Sequence, residues 1–255
     1  MAVLTVLADP EALAEAAAER VTARAESVVR AEGSLFLALA GGHTPRRLYE
    51  LLADPAHPWR ARVPWPNVHV LWGDERHVPP DDPESNFGMA DRALLKHVPV
   101  PASQIHRVRA EMPDAPAAAR AYEATLRAAF AAAGRRNPYC DLLLLGIGAD
   151  AHVASIFPGS PLLDDLESAA LVAAVPAPQP GTWRITLTPS ALLHAASMLV
   201  LAEGDAKADA VDAALSRPLD ERRWPAQILR RAGERVTWMM DAAAAARRSP
   251  GAPRA

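Results

Sequence analysis

A single cysteine, Cys140, in 255 residues rules out an intrachain disulfide and any thiolate metal cluster. It stands just before an apolar run and reads as a buried small hydrophobe. Aromatic residues make up only 5% of a chain that is 50% hydrophobic, so the core has to be assembled chiefly from Ala, Leu and Val. A basic excess is missing too. Lys and Arg number 27 against 30 Asp and Glu, a formal net charge of −3. That balance argues against a general nucleic-acid binder, yet allows a few cations to converge on one small anion. No apolar stretch approaches the ~20 residues of a membrane-spanning helix. The opening MAVLTVLADPEALAEA has no basic n-region and turns acidic quickly, unlike a signal peptide. A cytoplasmic protein with no membrane or nucleic-acid partner is expected, as a monomer or weak homo-oligomer.

What the chain does have is alternation. Three short apolar runs, Ser34–Ala40, Val68–Trp72 and Asp141–Leu145, end in glycine or an acidic turn and lead into helical patterns. This is the βα rhythm of a largely parallel sheet covered on both faces. A first long helix is delimited by Asp9 as cap, Pro10 at its first position and Gly33 at its end. Further helices are expected over Ser85–His97, Asp114–Ala133, Pro189–Ala196, Asp205–Leu215 and Pro225–Arg231. Later strands are expected over Leu171–Val175, Arg184–Leu187, Ser197–Ala202 and Arg235–Met240. The Pro-rich segments Asp54–Pro66 and Val175–Gly181 read as loops too short and apolar to be domain linkers. The expected fold is one Rossmann-like α/β domain over residues 1–246, with a mostly parallel twisted sheet covered by helices on both faces. Residues 247–255 are expected to form a frayed tail.

Three segments bear candidate chemistry. In Leu39-Ala40-Gly41-Gly42-His43-Thr44-Pro45 a buried strand meets two glycines and a Thr-Pro pair suited to cap and start a helix. Glycines let backbone N–H groups approach a ligand, and a helix start favours an anion. A phosphate cradle and a plain strand–turn–helix connection both fit this segment alone. The second segment places Asp74, Glu75, Arg76 and His77 at the C-terminal end of a buried strand, where open α/β sheets hold their ligands. A solvated charged loop is the alternative. The third, Gly146-Ile147-Gly148-Ala149-Asp150-Ala151-His152, matches the GxGxxA form of the dinucleotide fingerprint. Pro158, Gly159 and Pro161 deny it the long helix that motif requires. It reads instead as a glycine turn presenting Asp150 and His152 together, an acid–base candidate. Arg184 and Lys207, each an exposed charge when taken singly, are candidates to complete an anion site.

In order and spacing, LALAGGHTP, LWGDERHVP with SNFGMA, LLLLGIGADAHVASIFPG, RITLTPSALLHA and EGDAKADA resemble the 6-phosphogluconolactonase family. That family shares its fold with the glucosamine-6-phosphate isomerases/deaminases. The resemblance runs from the first helix to about Asp241. It implies hydrolysis of 6-phospho-D-glucono-1,5-lactone, with no cofactor and no required metal. His152 would be the catalytic histidine and Arg76 the arginine of the Asp-Glu-Arg motif. Gly41, Gly42, Thr44, Arg184 and Lys207 would hold the sugar phosphate, and Asp74 and Asp150 would orient His152 or the sugar. The related deaminases tend to have Tyr in place of Arg76 and a catalytic Glu where this chain has Phe157. Deamination of glucosamine 6-phosphate is therefore the nearest rival. A non-catalytic sugar-phosphate sensor is disfavoured because no helix-turn-helix segment precedes the first helix. A serine esterase built on Ser155, one helical turn from His152, lacks a G-x-S-x-G elbow.

Two positions depart from the family pattern. Ala151 stands where a glycine is common, and would be strained if that residue needs φ > 0. Ala40 stands where many relatives have Ser. His43 and His77 are given no role and are expected on the surface.

Overall fold

A computed structural model describes residues 2–248. It opens with a strand that the sequence pattern did not suggest, β1 (Val3–Leu7), a half-exposed edge strand with no clean alternation. The expected first helix follows as α1 (Pro10–Glu32), where the Asp9 side chain accepts from Ala12 N and Gly33 closes the end at φ +79°. After β2 (Leu35–Leu39) comes α2 (His43–Ala53), and here the expectation needs correcting. Gly42, not Thr44, caps α2: its φ of +103° suits glycine and starts the helix earlier. The Pro-rich stretch beyond α2 holds a short helix, α3 (Pro58–Arg62), begun by Pro58.

The chain continues through β3 (Val68–Trp72), β4 (Asp74–Arg76), and α4 (Asn86–Ala93), which Ser85 caps through Gly88 N. Next come α5 (Ala115–Ala132), capped by Asp114, and β5 (Leu142–Gly146). Then follow β6 (Val172–Pro176), β7 (Trp183–Leu187), and α6 (Pro189–Leu193), capped by Thr188. The last elements are β8 (Met198–Ala202), α7 (Ala208–Leu215) and β9 (Val236–Asp241). The helix expected over Pro225–Arg231 is a run of 3₁₀ turns over Pro225–Arg235, kinked at Gly233. The expected tail falls outside the described residues from 249 onward, and Arg247 pairs with Asp209.

Six strands form one parallel sheet in the order β1-β9-β8-β5-β2-β3. Its residues alternate between two apolar layers. Leu35, Leu37 and Leu39 pack with α1 to α4, whereas Phe36 and Ala38 pack on the other face with α5 and, through Leu143, α6 and α7. The sheet is thus covered by helices on both faces, as the apolar runs implied. A second, three-stranded antiparallel sheet, β4-β7-β6, was not separated out in the sequence reading. The connection between β6 and β7 is too short for a parallel crossover, so these strands pair as a hairpin. Gly73 joins the two sheets, donating to Leu39 O and accepting from Leu187 N.

The neighbours β2 and β5 carry the chain away in opposite directions across the main sheet. Their C-terminal ends therefore open a crevice where a ligand fits. Cys140 is buried just before β5, and burial pushes its thiol up to about 12.

Candidate active site

Glycines form the floor of that crevice. Gly41 and Gly42 follow β2, Gly73 follows β3, Gly146 ends β5 and Gly148 lies just beyond it; Lys207, after β8, borders the same lobe of about 210 Å³. The turn after β2 is held by Tyr49, whose buried hydroxyl accepts from Ala40 N at 3.0 Å and donates to Ala40 O at 2.8 Å. Burial raises the Tyr49 pKa, so the phenol stays a neutral clasp. With Gly42 as cap, α2 begins beside the lobe, its N-terminal N–H groups at the positive end of the helix. Thr44, the second residue of α2, borders neither this lobe nor the one next to it.

His152 stands on a tight turn closed by hydrogen bonds from Gly148 N to His152 O and from Ala151 N to Gly148 O. Ala151 has φ +61° and Ala154 φ +49°, so two residues with a Cβ occupy the left-handed region in one short turn. No helix follows Gly148, as the rejection of a dinucleotide fingerprint required. Asp150 Oδ1 lies 2.6 Å from His152 Nδ1 and 3.2 Å from His152 N. A carboxylate on Nδ1 keeps the proton there and leaves Nε2 with a lone pair. Among the described residues Nε2 has no partner, and the imidazole borders both lobes. The Phe157 ring lies beside it, centroids 4.9 Å apart. Gly148 leaves room for the pair: a Cβ there would fall 2.1 Å from His152 Nδ1 and 2.6 Å from Asp150 Oδ1, so one of the two side chains would have to shift.

Asp74 borders both lobes but does not touch His152. Its Oδ2 accepts from Ser155 Oγ at 2.6 Å, and its carbonyl from Asn86 Nδ2 at 2.9 Å. Of the two aspartates assigned to orient His152 or the sugar, Asp150 alone contacts the imidazole. The same geometry removes the serine-esterase option, since Ser155 is 1% exposed, lies on no helix with His152, and donates its proton to Asp74.

The next residue, Glu75, points away from the cleft. Its carboxylate accepts from the backbone N–H of Arg76, Asn86 and Phe87, each at 2.7 Å, and from Ser85 Oγ at 3.2 Å. Burial holds its pKa above the usual carboxylate value, and these backbone N–H groups offset that rise only in part. Arg76 faces the cleft and donates through Nη1 to Glu84 O at 2.8 Å; its buried Nε has no partner among the described residues.

Arg76 lies directly across the antiparallel pair from Arg184. Two cations in register oppose each other. Burial, and then Arg76, lower the Arg184 pKa. Arg184 borders the second lobe, of about 280 Å³, with Pro178 and Gln179 of the β6–β7 turn. The lobes share Asp74, Arg76, His152 and Ala154 and so form one cleft. Of the residues predicted to hold phosphate, Gly41, Gly42 and Lys207 come together in one lobe, Arg184 stands at the other, and Thr44 is outside both.

His43 and His77 are placed apart from the imidazole of His152. His43 is highly exposed and meets Glu203 at 2.6 Å; His77 is half-buried and held by the Met112 carbonyl at 2.7 Å. Asn86 was given no role of its own in the sequence, although SNFGMA contains it; Glu75 stood only as one of a charged cluster, and Ser155 only as a nucleophile rather than as the partner of Asp74. Among the described residues no three His, Cys, Asp or Glu side chains cluster as metal ligands.

Comparison with known proteins gives this geometry a context. The family model described as glucosamine-6-phosphate isomerases/6-phosphogluconolactonase matches residues 8–238. A 6-phosphogluconolactonase of Mycobacterium tuberculosis is 40% identical over 217 residues, covering 83% of this chain and 85% of its own. One of Nostoc is 34% identical over 241 residues, 94% and 96% of the two chains. The structure of 6-phosphogluconolactonase from Trypanosoma brucei superposes with a TM-score of 0.81 at 30% identity, covering 96% of this chain and 98% of that one.

Proposed function

Because the chain belongs to the glucosamine-6-phosphate isomerase/6-phosphogluconolactonase family, we propose that His152 is the general base of a lactonase reaction in the cleft. The enzyme is a 6-phosphogluconolactonase: it hydrolyses 6-phospho-D-glucono-1,5-lactone to 6-phospho-D-gluconate in the pentose phosphate pathway. The observation that carries the assignment of the base is the Asp150–His152 pair at 2.6 Å, with Nε2 unpartnered at the cleft.

In this reaction Nε2 takes a proton from water as the water oxygen attacks the ring carbonyl carbon. The carbonyl oxygen becomes an oxyanion. As the ring C–O bond breaks, the imidazolium returns its proton to the departing ring oxygen, and the new carboxylic acid loses its own proton to solvent. General base catalysis supplies ~10²–10⁴-fold, and a lactone that already hydrolyses unaided requires little more. Asp150 holds the tautomer and steadies the imidazolium. Arg76 offsets developing negative charge or orients substrate hydroxyls, and Asp74, held by Ser155, is an acceptor for a sugar hydroxyl.

For the phosphate we propose Gly41, Gly42, the start of α2, and Lys207, which lacks an ion-pair partner among the described residues. A group of charge about −1.5 to −2 at neutral pH suits such a cradle. Arg184 contributes from the adjoining lobe, and the cytoplasm is the proposed location. No helix of the described chain is long and apolar enough to cross a membrane. Phe157 stands beside His152 where a proton-shuttling deaminase would need a carboxylate. The test generates the lactone in situ and follows acid release. Turnover is expected, with no ammonia released from glucosamine 6-phosphate. A chain that releases ammonia and leaves the lactone untouched would reverse the assignment.

A further inference from the structure

Asn86 is 3% exposed yet borders the glycine lobe of the cleft. Its Nδ2 donates to the Asp74 carbonyl at 2.9 Å and lies 3.4 Å from Asp74 Oδ1. Two acceptors on one side settle which end of the amide is nitrogen. Oδ1 is thereby turned toward Gly41, so closely that a Cβ on Gly41 would lie 1.8 Å from it. Among the described residues no donor reaches this oxygen. An amide oxygen at the cleft wall without a protein donor is free to accept from a bound ligand. The phosphate has only acceptor oxygens at neutral pH and is repelled there, whereas a hydroxyl is matched.

The placement of Asn86 is enforced from behind. Glu75 receives the N–H groups of Asn86 and Phe87, the first two residues of α4, and the N–H of Arg76. One carboxylate therefore sets the start of α4 and the strand that carries Asp74 and Arg76 in a common frame. A negative charge at a helix N-terminus is itself favourable.

We propose that Asn86 binds substrate, its Oδ1 accepting a hydrogen bond from one ring hydroxyl of the phosphorylated sugar lactone, and that Glu75 is the positioning residue that aims it. This rests on the lactonase reading. Asn86 adds a neutral acceptor for one ring hydroxyl beside the charged Asp74, and so adds selectivity for a hydroxylated ring.

The experiment compares 6-phosphogluconolactone with its 2-, 3- and 4-deoxy counterparts in wild type, Asn86→Ala and Glu75→Gln. Wild type is expected to lose ~10–100-fold in kcat/KM on the one analogue that lacks the bonded hydroxyl. Asn86→Ala loses a similar factor on the parent lactone and no longer distinguishes that analogue from it. Glu75→Gln narrows the same ratio while leaving Asn86 in place. The ratio is informative even for a poorly folding variant, because loss of folded enzyme lowers both rates equally. An unchanged ratio in Asn86→Ala, or a wild type indifferent to all three hydroxyls, overturns the proposal. If wild type fails to turn over the parent lactone, the lactonase reading falls separately. The same ratios are then read as calorimetric affinities for 6-phosphogluconate and its deoxy counterparts, with the same two outcomes.

Discussion

Asp150 and His152 are two residues apart, and their side chains meet at 2.6 Å across a turn that also joins Asp150 Oδ1 to the His152 backbone N–H at 3.2 Å. The carboxylate thus fixes both the tautomer and the ring orientation of the proposed base. His152→Ala is expected to lower kcat by ~10²–10⁴-fold with little change in KM. Asp150→Asn should lower it less, since Nε2 is retained. Steady-state assays on lactone generated in situ check both, and near-normal kcat in His152→Ala would remove the general-base role.

Gly148→Ala is expected to cost nearly as much activity as losing the imidazole. The added Cβ would fall 2.1 Å from His152 Nδ1 and 2.6 Å from Asp150 Oδ1, so the pair is expected to be displaced. Ala151→Gly, by contrast, should leave stability unchanged within ~1 kcal/mol. Relief of a left-handed Cβ is worth ~1–2 kcal/mol. Against it stand ~0.4–1 kcal/mol of added unfolded-state freedom and ~0.8 kcal/mol for a buried methyl. Thermal and urea unfolding of the two variants separate these effects.

Lys207→Ala should raise KM by about tenfold or more, the scale of one hydrogen bond to a charged group, with kcat little altered. Arg184→Ala is expected to raise KM as well. If Arg184→Ala instead lowers kcat alone, Arg184 serves the carbonyl end of the cleft with Arg76, its partner in register. Separate kcat and KM values decide.

Ser155→Ala is expected to lower activity by only about tenfold, the scale of one hydrogen bond to a carboxylate. Loss of a serine nucleophile acting in a triad typically costs ~10⁶-fold. A single-turnover experiment with no acyl-enzyme burst in wild type would agree.

Near the start of β3, stacked on Phe36, His69 Nδ1 and His106 Nε2 meet at 3.0 Å, the two imidazole planes parallel within 4°. Burial, and then Arg135, lower the His69 pKa; burial, and then His69, bring His106 down to about 4. The unfolded chain therefore binds protons that the folded chain refuses. Stability is expected to fall as pH drops from about 6.5 and to level off below about 4, with the sign fixed by the excess of protons on the unfolded state. His106→Gln should flatten that slope, as read from urea midpoints at pH 7, 5.5 and 4.5.

Much of this molecule was legible along the chain because the relevant interactions are local. Asp9, Pro10 and Gly33 bracket α1 by rules that need only neighbouring residues. The buried runs of β2, β3 and β5 announced a parallel sheet through their lack of alternation. The Asp150–His152 pair was visible because a turn of that length brings residues two apart together. Where local rules compete, sequence alone does not choose the winner: Gly42, not Thr44, caps α2, and 3₁₀ turns stand in place of a helix at Pro225.

Only the tertiary structure decided the rest of the opening pair's surroundings. Asp74 and Ser155 are 81 residues apart, and nothing in either segment names the other. Asn86 reaches Gly41 because Glu75 anchors the start of α4, and Arg76 faces Arg184 because β4 and β7, far apart in the chain, pair antiparallel in that register. Spacing along a chain encodes hydrogen bonds closed within a turn or two. Which side chain of one loop meets another depends on how the two sheets pack, and that follows from burial over the whole chain.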